Sequence, residues 1–408
     1  MDKNTGRGKI LICGASIAGP CLAYWLNRAG FETHIIERAP KFRDGGQNID
    51  ISGPAKQVVE LMGLTAAIKE SSTREAGLRF VNAKGDTVAE FPQSGDSTFT
   101  RELEIRRGDL SRIFFDATKA ATTYRFGLAV RTLHPREEGI GVELTDGTKE
   151  EYDLVISAEG VGSATRKLLM DEFVKLNYLG LWMAYFRIPK LPSDDLWARW
   201  YNAPGGRVIL LRPSSRDAMS AAVDFLSDDA HGDHQPVEAQ REKVKKVLSG
   251  MGWQAERISA GLSFDDDFYL GPVSQVKASR WSKGRFALVG DAAYGPSPIT
   301  GKGTSLAILG AYVLAGELAA NQDALAALKA YEKRLRPYVE KCQQLPPGVP
   351  RVAHPRTKLG IALLNGAAAA VGSRPVRTIR KLVASKAAPA EEAEGKDFEL
   401  PRYAFSDS

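Results

Sequence analysis

The order of apolar and polar positions divides the chain into two kinds of region. Residues 9–13, KILIC, are a continuous apolar run of strand length, followed by a glycine-containing turn over 14–19 and a helix-forming stretch to about residue 29. Gly30 stops that helix, a second apolar run covers 33–36, and Glu37 closes it. A loop to Asp50 carries Arg38, Lys41, Arg43 and a Gly45-Gly46 pair. Helical spacing of Ala55, Val58, Val59 and Met62 predicts a helix over 54–62, with Gly63 as its stop. Residues 77–91 read as a hairpin, LRFVNA and TVAEF around Lys84-Gly85-Asp86. A helix over 107–121 and strands over 124–132, 139–144 and 152–158 follow. From 178 to 226 the pattern becomes four strand-like segments, LGLWMAYFRI, LWARWYN, RVILLR and MSAAVDF, which predict an antiparallel sheet forming a wall of its own. Helix is predicted over 231–250, strand and turn over 281–291, and helices over 303–321 and 325–338, the last ended by Pro346-Pro347. The tail is basic to Lys386 and acidic from Glu391 to Glu399, with an amphipathic helix expected over 376–384.

Composition changes this picture little. With 408 residues, 43% hydrophobic and 25% charged, the chain is long enough for more than one globular domain. The polar N-terminus runs straight into the first strand, so no signal peptide is expected. No apolar run is expected to approach the roughly 20 residues of a membrane span; the longest candidate, 361–371, is short and interrupted by Asn365 and Gly366. Cys13, Cys21 and Cys342 show no paired spacing, which fits a reducing, cytoplasmic setting. The net charge of +6 is dispersed and carries no nucleic-acid motif; a mild surplus also suits a protein that holds a pyrophosphate. His231 and His234, with Asp228, Asp229 and Asp233, have the spacing of a solvated turn, so no metal is expected. Neither a nucleophile elbow nor any other catalytic side chain is expected. An oligomeric state of monomer or homodimer is left open.

Two separated loops carry the chemistry. In Gly14-Ala15-Ser16-Ile17-Ala18-Gly19, Gly14 permits the tight turn and Gly19 lets the helix pack on the strand. Ser16 stands where glycine is commonest and is small enough for a pyrophosphate to approach. The helix N-terminus presents N–H groups to that anion, and Glu37, roughly 20 residues on, is placed to accept bonds from an adenosine ribose. Its charge would repel a 2′-phosphate. Nearly three hundred residues later an apolar strand ends in Gly290-Asp291-Ala292-Ala293, followed by Pro298-Ile299-Thr300-Gly301-Lys302-Gly303 opening a long helix. Asp291 stands at the strand end where open α/β sheets place ligands, and it suits ribityl hydroxyls. The following helix N-terminus suits the negative edge of a reduced flavin. One site alone says dinucleotide; the pair says FAD.

GASIAG with Glu37, the Arg107-Gly108-Asp109-Leu110 helix start, DLVISAEGVGSATR and GDAAYGPSPITGKG together resemble the class A flavin monooxygenases, the para-hydroxybenzoate hydroxylase-like family. Within that family the chain is most similar to the tetracycline-inactivating enzymes, through GGQNIDISG, FDDDFYLGPVSQVKASRWSKGRFALVGDAAYGPSP and AYVLAGEL. The resemblance implies an α/β fold: a Rossmann-type FAD-binding domain in three parts (1–76, 101–176, 276–345), an inserted antiparallel-sheet substrate domain (77–100, 177–275) and a C-terminal helical segment (346–408). It implies FAD contacts from Glu37, Asp50, Arg107, Asp291 and the loop Pro298, Gly301, Lys302, Gly303, alongside Gly14, Ser16, Ile17, Ala18, Gly19 and Arg38. Arg43 matches a basic residue near the adenine phosphates and nicotinamide entry. Tyr185 falls near a substrate-contacting position, with Arg199 as a neighbour. Two departures stand out: Glu159-Gly160 replaces a usual Asp-Gly, and Lys302 replaces a common glutamine.

The chemistry implied is NADPH- or NADH-driven reduction of FAD, addition of O2 to give a flavin C4a-hydroperoxide, and oxygen transfer to an aromatic or polyketide small molecule, tetracycline-like substrates included. A second glycine fingerprint for nicotinamide is absent, which fits transient visits by the reductant. Competing readings are a same-fold reductase, dehydrogenase or halogenase without oxygen insertion, and a non-catalytic binding module; the lack of WxWxIP counts against the halogenase.

Overall fold

The computed structural model describes residues 7–43, 45–93, 103–215, 217–230, 235–264, 266–373 and 398–405. The helix expected over 376–384 and the histidines His231 and His234 lie outside them.

The continuous apolar runs become a six-stranded sheet buried on both faces. Its spatial order is Ser282–Lys283, Phe286–Leu288, Leu154–Ser157, Lys9–Cys13, Glu32–Glu37 and Thr122–Phe126, parallel throughout except for the first. Ile10, Leu11, Ile12, Val155 and Ile156 are fully buried, as runs without polar alternation require. The first helix, Ala18–Arg28, packs against the long helix Gly303–Ala320. The long helix is apolar around its whole circumference and by composition alone could cross a bilayer. Here its apolar surface is used up inside the fold, with Leu306, Ile308, Leu309, Val313 and Leu314 buried.

The second sheet has seven strands, ordered Tyr269–Ala278, Val174–Pro189, Ala218–Leu226, Arg207–Pro213, Trp197–Ala203, Gly77–Val81 and Thr87–Pro92. The predicted hairpin adds to Trp197–Ala203 in parallel. Strand alternation assigns its faces. Ala184, Phe186, Ile188, Tyr201, Ile209, Leu211 and Val223 form one face, buried under the helices Val237–Leu248 and Ala255–Ala260. Met183, Tyr185, Trp200, Leu210, Arg212 and Asp224 belong to the other. A two-stranded ribbon, Asn48–Asp50 with Glu104–Arg106, meets that second face near Arg212.

Several boundaries differ from the pattern-based expectation. The run at 124–132 is two strands, Thr122–Phe126 and Val130–Pro135, separated at Gly127. The helix at 107 ends at Asp116, and the one expected from 231 begins at Val237 behind Pro236. Tyr269–Ala278 is a long strand although Gly271-Pro272 reads as a break. Its register against Val174–Pro189 shifts between Tyr178 and Trp182, opposite Pro272, so the proline sits at an irregularity rather than in a ladder. Lys358–Gly372 is a helix capped by Thr357, whose hydroxyl accepts from the Gly360 N–H at 3.1 Å.

Candidate cofactor and substrate site

Gly14 holds a φ of +111°, and a Cβ there would lie 2.6 Å from the Ala158 carbonyl oxygen. At Gly19 a Cβ would lie 2.0 Å from the Gly14 oxygen. No side chain fits either contact, so the turn brings the first helix down on its strand only with these glycines. The N-terminus of that helix has no side-chain cap, which leaves its first-turn N–H groups for a ligand. Ile17, Ala18 and Gly19 are buried beneath the turn and Ser16 is at its half-exposed tip.

Arg107 lies on that tip. Its Nε and Nη2 donate to Ser16 Oγ at 3.2 and 3.0 Å. The same guanidinium acts on two groups from elsewhere in the chain. Burial pushes the Asp291 carboxyl up from its usual range and Arg107 opposes the shift; burial likewise raises Tyr269, again against Arg107. Gly290 closes the arrangement, since a Cβ built there lies 3.2 Å from Ala18 Cβ and 3.5 Å from Ala307 Cβ. The starts of the first and long helices and the Asp291 turn are therefore packed together. The two glycine loops, nearly three hundred residues apart, share one site.

Glu37 is already held in place: its Oε2 accepts the Ala15 N–H at 3.1 Å and its Oε1 the Ala39 N–H at 2.9 Å. Arg38 and Arg43 are exposed, and Asp50 is half-buried on the two-stranded ribbon. Gly46 backs onto the Arg107 side chain, and its N–H donates to Asp267 Oδ2 at 2.6 Å, tying this loop to the second sheet. In the second loop Ser297 takes a φ of +81° although it is not glycine, a conformation costing roughly 1–3 kcal/mol that proteins keep at functional sites. Its hydroxyl is buried without a partner among the described residues, and Gly301 faces open space. Pro298 and Gly301 are exposed, and Lys302 and Gly303 half-exposed. A long ligand with an anionic centre at Ser16 and Arg107 and a hydroxylated arm at Asp291 fits these residues; FAD has that form.

One expectation changes on the structure. Arg199 does not join Tyr185. It shares the helix-covered face with Tyr201 and Leu211, and its Nη2 pairs with Asp195 Oδ1 at 2.9 Å. Tyr185, on the opposite face, stacks on Tyr269 with centroids 6.3 Å apart and belongs to a cluster with Met183 and Ile299 of the second loop. Glu159 turns inward. Its carboxylate accepts from Ser163 Oγ at 2.7 Å, from the Thr165 N–H at 2.9 Å and from Thr165 Oγ1 at 3.0 Å, at the start of the helix Ala164–Leu169. Ser163 is the N-cap, its Oγ accepting the Arg166 N–H at 3.0 Å, and the Glu159 carboxylate completes the capping of this helix. Glu159→Ala is expected to lower unfolding free energy by about 1–2 kcal/mol in urea titration, the range of a lost N-cap. Unchanged stability with a raised KM for NADPH would instead assign the carboxylate to the reductant.

The pattern of residues left two contributors unassigned. Arg166, only 1% exposed, donates from Nη1 to the Ala292 carbonyl and from Nη2 to the Val161 carbonyl, each at 2.8 Å. It stitches the Glu159 loop to the Asp291 turn, and its place at the end of DLVISAEGVGSATR was the available signal. Arg212 bridges Glu75 and Glu104 and had no local signal at all. A cleft of about 610 Å³ behind the second loop, lined by Gln275, Trp281 and Arg336, contains none of the residues gathered around Arg107.

The family model for the FAD binding domain matches residues 7–346. The FAD-dependent monooxygenase asL6 of Sarocladium schorii is 36% identical over 365 residues, covering 83% of this chain and 86% of that protein. The monooxygenase CTB7 of Cercospora beticola is 36% identical over 379 residues, covering 88% and 90%. Among solved structures, the tetracycline destructase Tet(51) superposes with a TM-score of 0.79 at 30% identity, covering 97% of this chain and 99% of that one. With the paired glycine loops around Arg107 and Asp291, this match over most of the chain makes the protein a member of the FAD-binding-domain family and an FAD-dependent monooxygenase of the class A type.

Proposed function

We propose that the enzyme inserts one oxygen atom into an oxygenated aromatic or fused-ring polyketide, with NADPH or NADH as a transient reductant. The observation that carries this reading is the packing of the Tyr185 face of the second sheet against Ile299 of the flavin-side loop. Relatives named as monooxygenases and a destructase neighbour at 30% identity support the substrate class.

Bound FAD supplies a reducible centre that activates O2. The chain's own residues do the rest. Ser16, Arg107 and the first helix N-terminus would hold the pyrophosphate; Glu37 would receive the adenosine ribose; Asp291 would take the ribityl hydroxyls. Asp50 would contribute from the ribbon. The loop Pro298–Thr300, with Gly301, Lys302 and Gly303, would hold the ring system, and Lys302 would add a positive charge where negative charge develops on reduction. Arg38 and Arg43 give the reductant a basic approach. Met183, Tyr185 and Ile299 form an apolar wall that positions a planar ring and keeps water from the reacting face.

Tyr185→Ala removes an aromatic wall worth about 1.5–3 kcal/mol, so substrate-stimulated NADPH oxidation should fall 10- to 100-fold in kcat/KM. Arg199→Ala should leave turnover unchanged, because its partner is Asp195. The assay follows NADPH and O2 consumption across phenols and polyketides, with product mass. Full activity in Tyr185→Ala would move the substrate elsewhere. Reductant consumption without a product heavier by one oxygen atom would favour the reductase, dehydrogenase or halogenase reading.

A further inference from the structure

The helix Lys358–Gly372 turns an apolar face outward. None of its residues is fully buried. On its inner side Ala368 packs on Leu78, Phe91 and Ala198, at the hairpin end of the second sheet. Both ends are pinned. The Gly205 N–H donates to the Arg356 carbonyl at 2.9 Å just before the Thr357 cap. At the other end a Cβ on Gly372 would lie 3.3 Å from the Glu90 carbonyl oxygen. On the outer side Leu359 is 71% exposed and Leu363 66%, and Val371 is exposed as well. Ala362, Gly366 and Ala370 are exposed between them at three- and four-residue spacing, which makes one stripe about 18 Å long. Single exposed leucines are ordinary, but a continuous apolar stripe on a fixed helix marks a contact surface.

The charge around this stripe has one sign. Arg351, Arg356 and Lys358 are exposed at its N-terminal end. No aspartate or glutamate occurs from residue 341 to 390, a stretch that holds nine lysines and arginines. The two strands beneath the helix, Thr87–Pro92 and Trp197–Ala203, carry one carboxylate between them, Glu90, and it is paired with Arg79 at 2.8 Å. The occupant of this face must therefore be apolar at the stripe and anionic around it. A second copy of the chain would bring the same cations and no carboxylate to meet them. At 15 residues the helix is too short to cross a bilayer, which takes about 20. Lying in the headgroup layer, it would meet both needs: acyl chains for the leucines and lipid phosphates for the cations.

We propose that Lys358–Gly372 docks the enzyme on an anionic bilayer surface, with Leu359 and Leu363 entering the acyl boundary and Arg351, Arg356 and Lys358 against the phosphates. The helix lies flat on the membrane and does not span it. Because it is pinned to the second sheet, docking sets that sheet beside the bilayer. An apolar ring compound partitions into lipid, so docking also brings the enzyme to where such a substrate collects. The docking itself does not depend on that substrate class.

Flotation of the full-length, FAD-loaded enzyme with lipid vesicles tests this. The vesicles are phosphatidylcholine alone, or phosphatidylcholine and phosphatidylglycerol in equal parts, at about 0.1 M salt. The wild type is expected to float with the mixed vesicles, and to bind at least roughly 10-fold more weakly to phosphatidylcholine alone or in about 0.5 M salt. Leu359→Asp with Leu363→Asp, and separately Arg356→Glu with Lys358→Glu, should each lower the partition coefficient by at least roughly 10-fold. All four side chains are exposed, so both variants should keep the FAD content and denaturant midpoint of the wild type. The wild-type preference for phosphatidylglycerol tests the assignment without any variant: equal flotation with both vesicle types, or none with either, overturns it. Binding that the leucine pair does not weaken overturns it as well. A wild-type dimer in light scattering that ignores vesicles and becomes monomeric in Leu359→Asp with Leu363→Asp would give the stripe to a second copy instead.

Discussion

Replacing Arg166 by Met is expected to cost about 3–5 kcal/mol of folding free energy and to leave the purified protein largely without FAD. The guanidinium spans two carbonyls from different loops, Ala292 on the Asp291 turn and Val161 behind Glu159, and is almost wholly buried. Hydrogen bonds to a charged group contribute about 1.5–3 kcal/mol each, and the Ala292 carbonyl left behind would be buried without its donor. Methionine preserves much of the volume, so the loss reports the bonds rather than a cavity. Lysine is expected to recover less than half, because one ammonium cannot reach both carbonyls in the fixed fork of a guanidinium. Denaturant titration of the apoprotein reads the stability, and flavin absorbance per protein, with the FAD dissociation constant, reads the site. A colourless but fully stable variant would confine Arg166 to cofactor contact; an FAD-replete, fully stable variant would remove its role as the stitch between the loops.

What the sequence made legible followed from how local each signal is. The Gly14–Gly19 turn and Gly290-Asp291 are short-range: a strand, a residue type and a helix start within a few positions. Tyr269–Ala278 was hidden because Gly271-Pro272 normally ends a strand, and only the neighbouring irregularity near Tyr178 makes room for it. Arg199 shows a different limit. Alternation along WARWYN separates two faces correctly, but it carries no information on which face meets the cofactor. The helices Val237–Leu248 and Ala255–Ala260 decide that, by covering the Arg199 side. Glu75 and Glu104 with Arg212 are pairings made across distant segments, so no window of sequence contains them.

The Arg212 cluster carries the second large effect, one that depends on pH. Glu75 and Glu104 are each 1% exposed, and Arg212 meets Glu75 through Nε at 2.8 Å and Glu104 through Nη2 at 2.9 Å. Asn48 Nδ2 and Thr73 Oγ1 also donate to Glu104, both at 2.9 Å, so ribbon and second sheet are joined here. Two carboxylates share one cation. Burial pushes Glu75 up to about 7 from 4.5, helped by Glu104 and opposed by Arg212, while the two carboxylates together raise Arg212 despite its own burial. The folded state therefore binds the Glu75 proton more tightly than the unfolded state, and stability falls as pH rises from about 4.5 to about 7. At 1.36 kcal/mol per unit this is on the order of 3 kcal/mol, and Glu75→Gln should flatten that fall. Arg212→Met removes the cation that contacts both carboxylates. Its cost should reach about 3–5 kcal/mol at pH 8 and shrink toward pH 5, where a carboxyl can stay neutral. Adding Glu75→Gln to Arg212→Met should recover part of the loss at pH 8 and little at pH 5. Denaturant titrations at both pH values decide it: equal losses for Arg212→Met would mean that neither carboxyl takes up a proton as the pH falls, and that the joint between ribbon and sheet does not depend on pH.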